Sequence, residues 1–477
     1  LLLALACAAC SQPPPTQDSA ADASTLAEDH AEPVDGTAAM DSAADATDDV
    51  ASDRRAYTDA PERDRVAPDA GPRCYGLPPS AGLLQHVGHI PRESGGSSNG
   101  ASACVGDVDN DGVRELIVPR LNEPSEIIGP DLCSRGRVLL PNYARGCFVA
   151  DLDGDRRNEL VVIGNVGWSG RGVLEVGRVE RRAASDRTLE SHVFRDIWPF
   201  EEDRPIATAT TSHANVVDLD GDGRLELFVG GNFPRAFVRV WELATPPPSS
   251  TWTEVLDVDL VGSLNDSIGS LSEDIDGDGT REAIVVGSCA PAGAQHGHRV
   301  WRRWDQPPIL LERPDPSHMI VADLDGASPP EIVIATRANC YSGAVAQWPL
   351  EVHRFDGARN ALTLVAQRVT GIQQREANHL AAIDVVGSPA SEVLYCSTPS
   401  GVSVAPRTCA LFALETTPVN ALVPVIAPGE MAAFRWVSPP RLGGLDGMLV
   451  DDLDGDGARE VFLFGQEHID VLRGPRR

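Results

Sequence analysis

The chain runs to 477 residues, 42% of them hydrophobic, with 70 acidic against 40 basic residues and a formal net charge of −30. Every basic residue is arginine, and none gathers into a stripe that would neutralise phosphates. Direct binding to nucleic acid or to anionic lipid headgroups is therefore disfavoured, while the apolar content suffices for a large buried core.

In chain order, residues 1–10 come first, an apolar run ending Leu5-Ala6-Cys7-Ala8-Ala9-Cys10, with Ser11 next. The run is far below the roughly 18 apolar residues that a membrane helix requires. It resembles the end of a bacterial lipoprotein signal peptide, with Cys10 as the lipidated residue and Cys7 as the alternative; an ordinary cleaved secretion signal is the other reading. Either reading exports the protein, as a lipoprotein at the outer membrane or cell surface of a bacterium, or else as a periplasmic or secreted chain. Membrane contact is then expected only through the lipid anchor. Residues 11–73 are rich in Ala, Asp, Pro, Ser and Thr, with Tyr57 as their single aromatic. Such a segment cannot bury enough apolar area to offset its ordering entropy, so it is predicted to be a disordered acidic stalk.

Residues 74–477 form the predicted folded domain. From Asp107 to Glu460 the chain seven times places an aspartate eight residues ahead of a glutamate, each time with an apolar run behind. Five copies keep carboxylates at loop positions 1, 3, 5 and 9: Asp107, Asp109, Asp111 and Glu115; Asp151, Asp153, Asp155 and Glu159; Asp218, Asp220, Asp222 and Glu226; Asp274, Asp276, Asp278 and Glu282; Asp452, Asp454, Asp456 and Glu460. The fifth copy keeps Asp323, Asp325 and Glu331 but has Ala327 at position 5, and the sixth keeps only Asp384 and Glu392. Four carboxylates converging on a tight turn would repel one another without a cation. Ca²⁺, which takes six to eight oxygens, suits such a cage better than Mg²⁺, which keeps its waters. About five calcium ions are expected, with one weak site at Asp323 and a vestigial turn at Asp384. Glycine at position 6 fits a sharp turn, although Arg156 stands there in the second copy.

An EF-hand would need a glutamate at position 12 and flanking helices. Here position 12 is Val118, Val162, Val229, Val285, Ile334, Tyr395 or Leu463, inside runs that read as buried strands. Each loop is therefore predicted to join strand to strand. The copies start 44 to 68 residues apart, in the range of propeller blades with insertions. One blade reads directly as strands over 215–218, 225–230, 236–243 and 253–260, and the next repeats the plan with strands at 282–286, 299–304 and 309–312. The expectation is an all-β, seven-bladed propeller of four-stranded antiparallel blades. After Glu460 the chain offers only two more strands, so Leu83–Ile90 is predicted to supply the missing outer strand and close the ring.

The loops and the strands behind them resemble the FG-GAP/VCBS repeats of calcium-binding β-propellers, the class that includes the integrin α-chain head. The resemblance spans roughly residues 100–470 and implies the fold and the metal. The Phe-Gly and Gly-Ala-Pro signatures of that family are not evident, so its ligand recognition does not transfer.

Cys74, Cys104, Cys133, Cys147, Cys289, Cys340, Cys396 and Cys409 remain after the leader, an even set in an exported chain that points to disulfides. Cys396 and Cys409 are the best-argued pair, at the facing ends of one hairpin. Zinc is not expected, since no tightly spaced Cys/His set is present. Three functions fit these features: a surface binding or adhesion module for a glycan or an extracellular protein, a propeller-based carbohydrate-active lyase or hydrolase, and a non-catalytic assembly scaffold. The enzymatic reading rests on His213, His318 and His379, each five residues before a loop's first aspartate. Packing is the commoner role for such residues, and no nucleophile motif accompanies them, so no catalytic residue is assigned.

Overall fold

A computed structural model describes residues 73–474, apart from 78–83, 92–102, 121–123, 141–143, 167–170, 183–191, 199–210, 232–236, 246–250, 260–265, 289–296, 313–315, 337–348, 370–376, 386–389, 399–407, 417–419, 427–446 and 465–467. The signal-like run, the acidic stalk, Cys289 and Cys340 lie outside the described residues.

The strands form seven antiparallel four-stranded blades in a ring, a seven-bladed β-propeller. The third blade shows the plan: Thr211–Val217 innermost, then Glu226–Gly231, Phe237–Thr245 and Thr251–Asp259 outermost. The fourth follows with Asp266–Glu273, Glu282–Ser288, Gly297–Trp301 and Ile309–Glu312. Its third strand is shorter than the sequence suggests, because residues 302–306 turn away from the sheet. In all seven blades the second strand begins at the loop glutamate.

Apolar side chains from both faces of each blade fill the gaps between blades, and there are seven such clusters, one per gap. Strand alternation makes this possible. In the seventh blade Val461 and Leu463 pack toward the sixth, whereas Phe462 and Phe464 pack toward the first. Fully burying a Leu or Phe contributes about 1.5–3 kcal/mol, so every gap helps to hold neighbouring blades together.

The ring closes as the sequence predicts. Gln85–Pro91 lies on the outer edge of the last blade, antiparallel to His468–Arg473. Residues 73–77 then run along the other side of this closing strand, with Leu77 N–H donating to Val87 O (2.7 Å) and His89 N–H to Tyr75 O (3.0 Å). They reach the first blade through Tyr75 N–H to Leu132 O (2.9 Å), Ser134 N–H to Arg73 O (2.7 Å) and the Cys74–Cys133 disulfide. The Tyr75 hydroxyl donates to Glu126 at 2.8 Å, and burial together with that carboxylate pushes its pKa up to about 12. Two further disulfides join Cys104 to Cys147, across the innermost strands of blades one and two, and Cys396 to Cys409, the hairpin pair expected from sequence.

One feature breaks the repeat. The outermost strands of the first and second blades, Ser134–Leu139 and His192–Trp198, pair in parallel at Val138↔His192 and Leu139↔Val193, fusing the two blades into one eight-stranded sheet.

Candidate functional site

All seven acidic loops connect an innermost strand to the second strand of the same blade, so all seven stand on one face of the ring. Each is fastened by its glutamate. The Oε2 atoms of Glu115, Glu159, Glu226, Glu282, Glu331, Glu392 and Glu460 accept from the backbone N–H of position 2 at 2.7 to 3.0 Å. The donors belong to Val108, Leu152, Leu219, Ile275, Leu324, Val385 and Leu453, all buried apolar residues that plug the loop into the core. This latch satisfies a buried N–H at the strand-to-loop corner, where no ladder partner is available.

The aspartates shape the turn. In the third loop Asp218 accepts from Gly221 and Gly223, Asp220 from Asp222, and Asp222 from Arg224, at 2.8 to 3.1 Å. Positions 4 and 6 both take left-handed φ, as at Gly221 (78°) and Gly223 (87°). The sequence reading identified only position 6. Arg156 occupies that conformation at φ 69°, which costs a side-chain-bearing residue about 1–2 kcal/mol. Replacing it, Arg156→Gly, is expected to raise stability by about 0.5–1 kcal/mol after the added freedom of the unfolded chain is counted. Urea denaturation checks this, and a lower midpoint would refute it.

Carboxylates at positions 1, 3 and 9 converge. Ligand atoms of Asp107, Asp109 and Glu115 lie within 4.8 Å of one another, as do those of Asp151, Asp153 and Glu159, of Asp218, Asp220 and Glu226, and of Asp274, Asp276 and Glu282. The position-5 residues Asp111, Asp155, Asp222, Asp278 and Asp456 stand at the exposed rim, each capping the N–H of position 7. Burial, augmented by the neighbouring aspartates, pushes Glu115 up to about 8 and Glu226 and Glu282 to about 7. Asp109 is instead held below the usual range by its hydrogen bond with His192 at 3.1 Å. Several buried oxygens have no hydrogen-bond donor: Oδ1 of Asp107, Asp151 and Asp452, and Oε1 of Glu226. Donor-less carboxylate oxygens in a converging set fit a hard cation such as Ca²⁺.

Guanidinium groups enter several loops, which the sequence reading missed. Arg178 in the second blade's third strand binds Asp153 (3.2 Å), Asp155 (3.0 Å) and Glu159 (2.5 Å). Arg473 binds Asp454 (2.8 Å) and Glu460 (2.5 Å). Arg354 bridges Asp325 and Glu331, placing a resident cation in the loop that lacks its position-5 carboxylate. Arg302 binds a single loop carboxylate, Asp276, at 2.5 Å, and lies over the Phe355 ring. In the first loop His192 occupies the corresponding place, and in the third Trp304 Nε1 donates to Asp220 at 3.3 Å from the turn of the next blade. The available signal was an arginine 13 to 23 residues beyond the glutamate. Neighbouring loops also interlock, through Asn110 with Asn158 and through Arg114 with Asp451 at 2.6 Å.

Of the three equivalent histidines, His318 and His379 adjoin across blades five and six with ring centroids 6.0 Å apart; the side chain of His213 lies outside the described residues. His318 Nδ1 accepts from Leu380 N–H at 2.7 Å, so its proton sits on Nε2 and the ring serves the packing of the inner strands. Burial, and secondarily His379, lowers its pKa to about 3. A base depressed in the folded state contributes stability that is complete above its unfolded value of about 6.5 and is lost as pH falls toward the folded value. By pH 4.5 that loss is about 2–3 kcal/mol. His318→Asn is therefore expected to flatten the fall in melting temperature between pH 7 and 4.5; an unchanged slope would refute the assignment.

No family model matches the chain, and no curated protein matches it. Among solved structures it is similar to BBS1N in complex with ARL6DN, soaked with lead, at 10% identity and a TM-score of 0.45, covering 81% of this chain and 97% of that one. The mercury-soaked crystal of the same complex gives 11% identity and a TM-score of 0.46, with the same coverage. The propeller assignment rests on the strand order of the chain itself.

Proposed function

We propose that the chain is an exported calcium-binding propeller that acts as a surface binding or adhesion module for a protein or carbohydrate ligand. The observation that carries the metal is the set of buried carboxylate oxygens without donors at Asp107, Asp151, Asp452 and Glu226. The residues that would hold Ca²⁺ are those at positions 1, 3, 5 and 9 of the five full loops, and the ion would supply the positive charge those carboxylates lack. The loops centred on Asp107 and Asp218 hold no guanidinium and that at Asp274 has one on Asp276 alone, so these accept it most readily; in the other two it must displace Arg178 or Arg473 from two or more carboxylates. Binding is favoured over catalysis because His318 is committed to a backbone hydrogen bond. Export is supported by the leader-like residues 1–10 and by three disulfides, which persist in oxidising compartments. A rigid ring carrying seven loops on one face suits recognition by variable loops.

The test is to probe the full chain against a broad glycan array and, in parallel, a cell-surface protein extract, each in Ca²⁺ and in EGTA. A selective ligand retained in Ca²⁺ and released in EGTA supports the proposal. Ligand capture indifferent to EGTA removes calcium from it, and turnover of a captured polysaccharide replaces it with the enzymatic reading.

A further inference from the structure

The seam that closes the ring carries a second side-chain cluster, away from the acidic loops. His86 Nε2 lies 3.0 Å and His89 Nδ1 2.9 Å from Asp470 Oδ1, and His468 Nε2 lies 3.1 Å from Asp470 Oδ2. The rings of His89 and His468 stand 4.4 Å apart. Two of these residues come from the closing strand and two from the last described strand, with His86 and His89 lying 384 and 381 positions from Asp470.

The backbone explains how they meet. His468 and Asp470 are two apart and share a face, as alternation requires. His86 and His89 are three apart and would face opposite ways in a regular strand. The register shifts between His86 and Gly88, so that His86 pairs with Leu472 while His89 pairs with Asp470. That bulge inserts one residue and returns both imidazoles to the same side. Val87 and Ile90 meanwhile pack into the core toward the first blade.

We propose that His86, His89, His468 and Asp470 form a binding site for a transition-metal ion, Zn²⁺ by preference, that pins the ring closed. Three imidazoles and one carboxylate make a borderline-soft donor set suited to Zn²⁺ and poor for Ca²⁺. Ligand atoms of His86, His89 and Asp470 already lie within 4.8 Å of one another. A tetrahedral zinc with bonds of about 2.0–2.1 Å sets its ligands about 3.3 Å apart; His86 and His89 reach that spacing from Asp470 Oδ1 by a slight expansion, and His468, which faces Oδ2, must turn toward them to complete the set. The Asp470 side chain is fully buried and faces all three imidazoles, its Oδ1 toward His86 and His89 and its Oδ2 toward His468. His89, 45% exposed, provides the way in. Because the ligands come from both sides of the seam, the ion bridges the first and last strands of the ring.

The test titrates the full chain with Zn²⁺ by calorimetry in saturating Ca²⁺, which occupies competing acidic loops, and repeats it with Co²⁺ while recording the visible spectrum. The wild-type chain is expected to bind one Zn²⁺, to show the intense ligand-field bands of tetrahedral cobalt, and to gain melting temperature on binding. His89→Gln, at an exposed position that leaves folding intact, is expected to weaken binding tenfold or more and to abolish both the tetrahedral bands and the thermal gain. His468→Gln should do the same from the other strand; if that variant fails to fold, His89→Gln decides. Identical isotherms for wild type and His89→Gln, or only the weak spectrum of octahedral cobalt, would overturn the site.

Discussion

In EGTA the propeller is expected to melt about 5–10 °C below its temperature in millimolar Ca²⁺. At ten times a Kd of about 0.1–1 mM, each occupied loop contributes about 1.4 kcal/mol. The three loops without a full guanidinium clamp then supply about 4 kcal/mol, and all five about 7 kcal/mol. That is a large share of the roughly 5–15 kcal/mol margin of a folded domain. The physical origin lies in Glu115, Glu226 and Glu282, each buried beside two or more aspartates. Arg178→Gln sharpens the test. Removing the guanidinium that spans Asp153, Asp155 and Glu159 should widen the gap between the melts with and without calcium. Coincident melts of the wild-type chain in EGTA and in Ca²⁺ would remove structural calcium from the account.

The second large effect concerns the covalent seam. The double variant Cys74→Ser/Cys133→Ser is expected to lose about 4 kcal/mol in urea denaturation, because the bond closes a loop of 59 residues. Opening the Cys396–Cys409 bond, with a separation of 13, should cost about 3 kcal/mol. The first loss also frees residues 73–77 from the first blade, loosening the backbone bonds of Tyr75 and Leu77 and the Tyr75–Glu126 contact. The seam variant should therefore also show faster amide exchange along Gln85–Pro91. A smaller loss than that of the 396–409 variant would argue that the ring is held at its seam by β-pairing and apolar contacts alone.

Much of this was legible in the chain. The Asp-to-Glu spacing of eight, with apolar residues after it, marked both the loop and the second strand behind it in every blade. Leu83–Ile90 was recognisable as the closing strand by elimination, and Cys396 and Cys409 by their place on one hairpin. What escaped depended on register or on reach. A guanidinium such as Arg178 enters its loop from the third strand, at an offset that varies with hairpin length. Trp304 was read as strand because its neighbours alternate, yet it turns out to touch Asp220 of the preceding blade. The His86–His89 pair has the wrong spacing for a shared face until a bulge corrects it. The parallel pairing of Val138 with His192 joins two blade edges that no local pattern connects.

The glutamate latch has a consequence for how such a chain can change over generations. Glu392 still holds Val385 N–H at 2.8 Å, although its loop has Val386 and Ser388 where carboxylates stand elsewhere. The corner therefore folds without carboxylates at positions 3 and 5, and those aspartates are a separable layer. A loop that loses them also loses the repulsion that called for an ion. On the calcium reading proposed above, blades can thus shed or regain ions independently of one another beneath a constant count of seven blades.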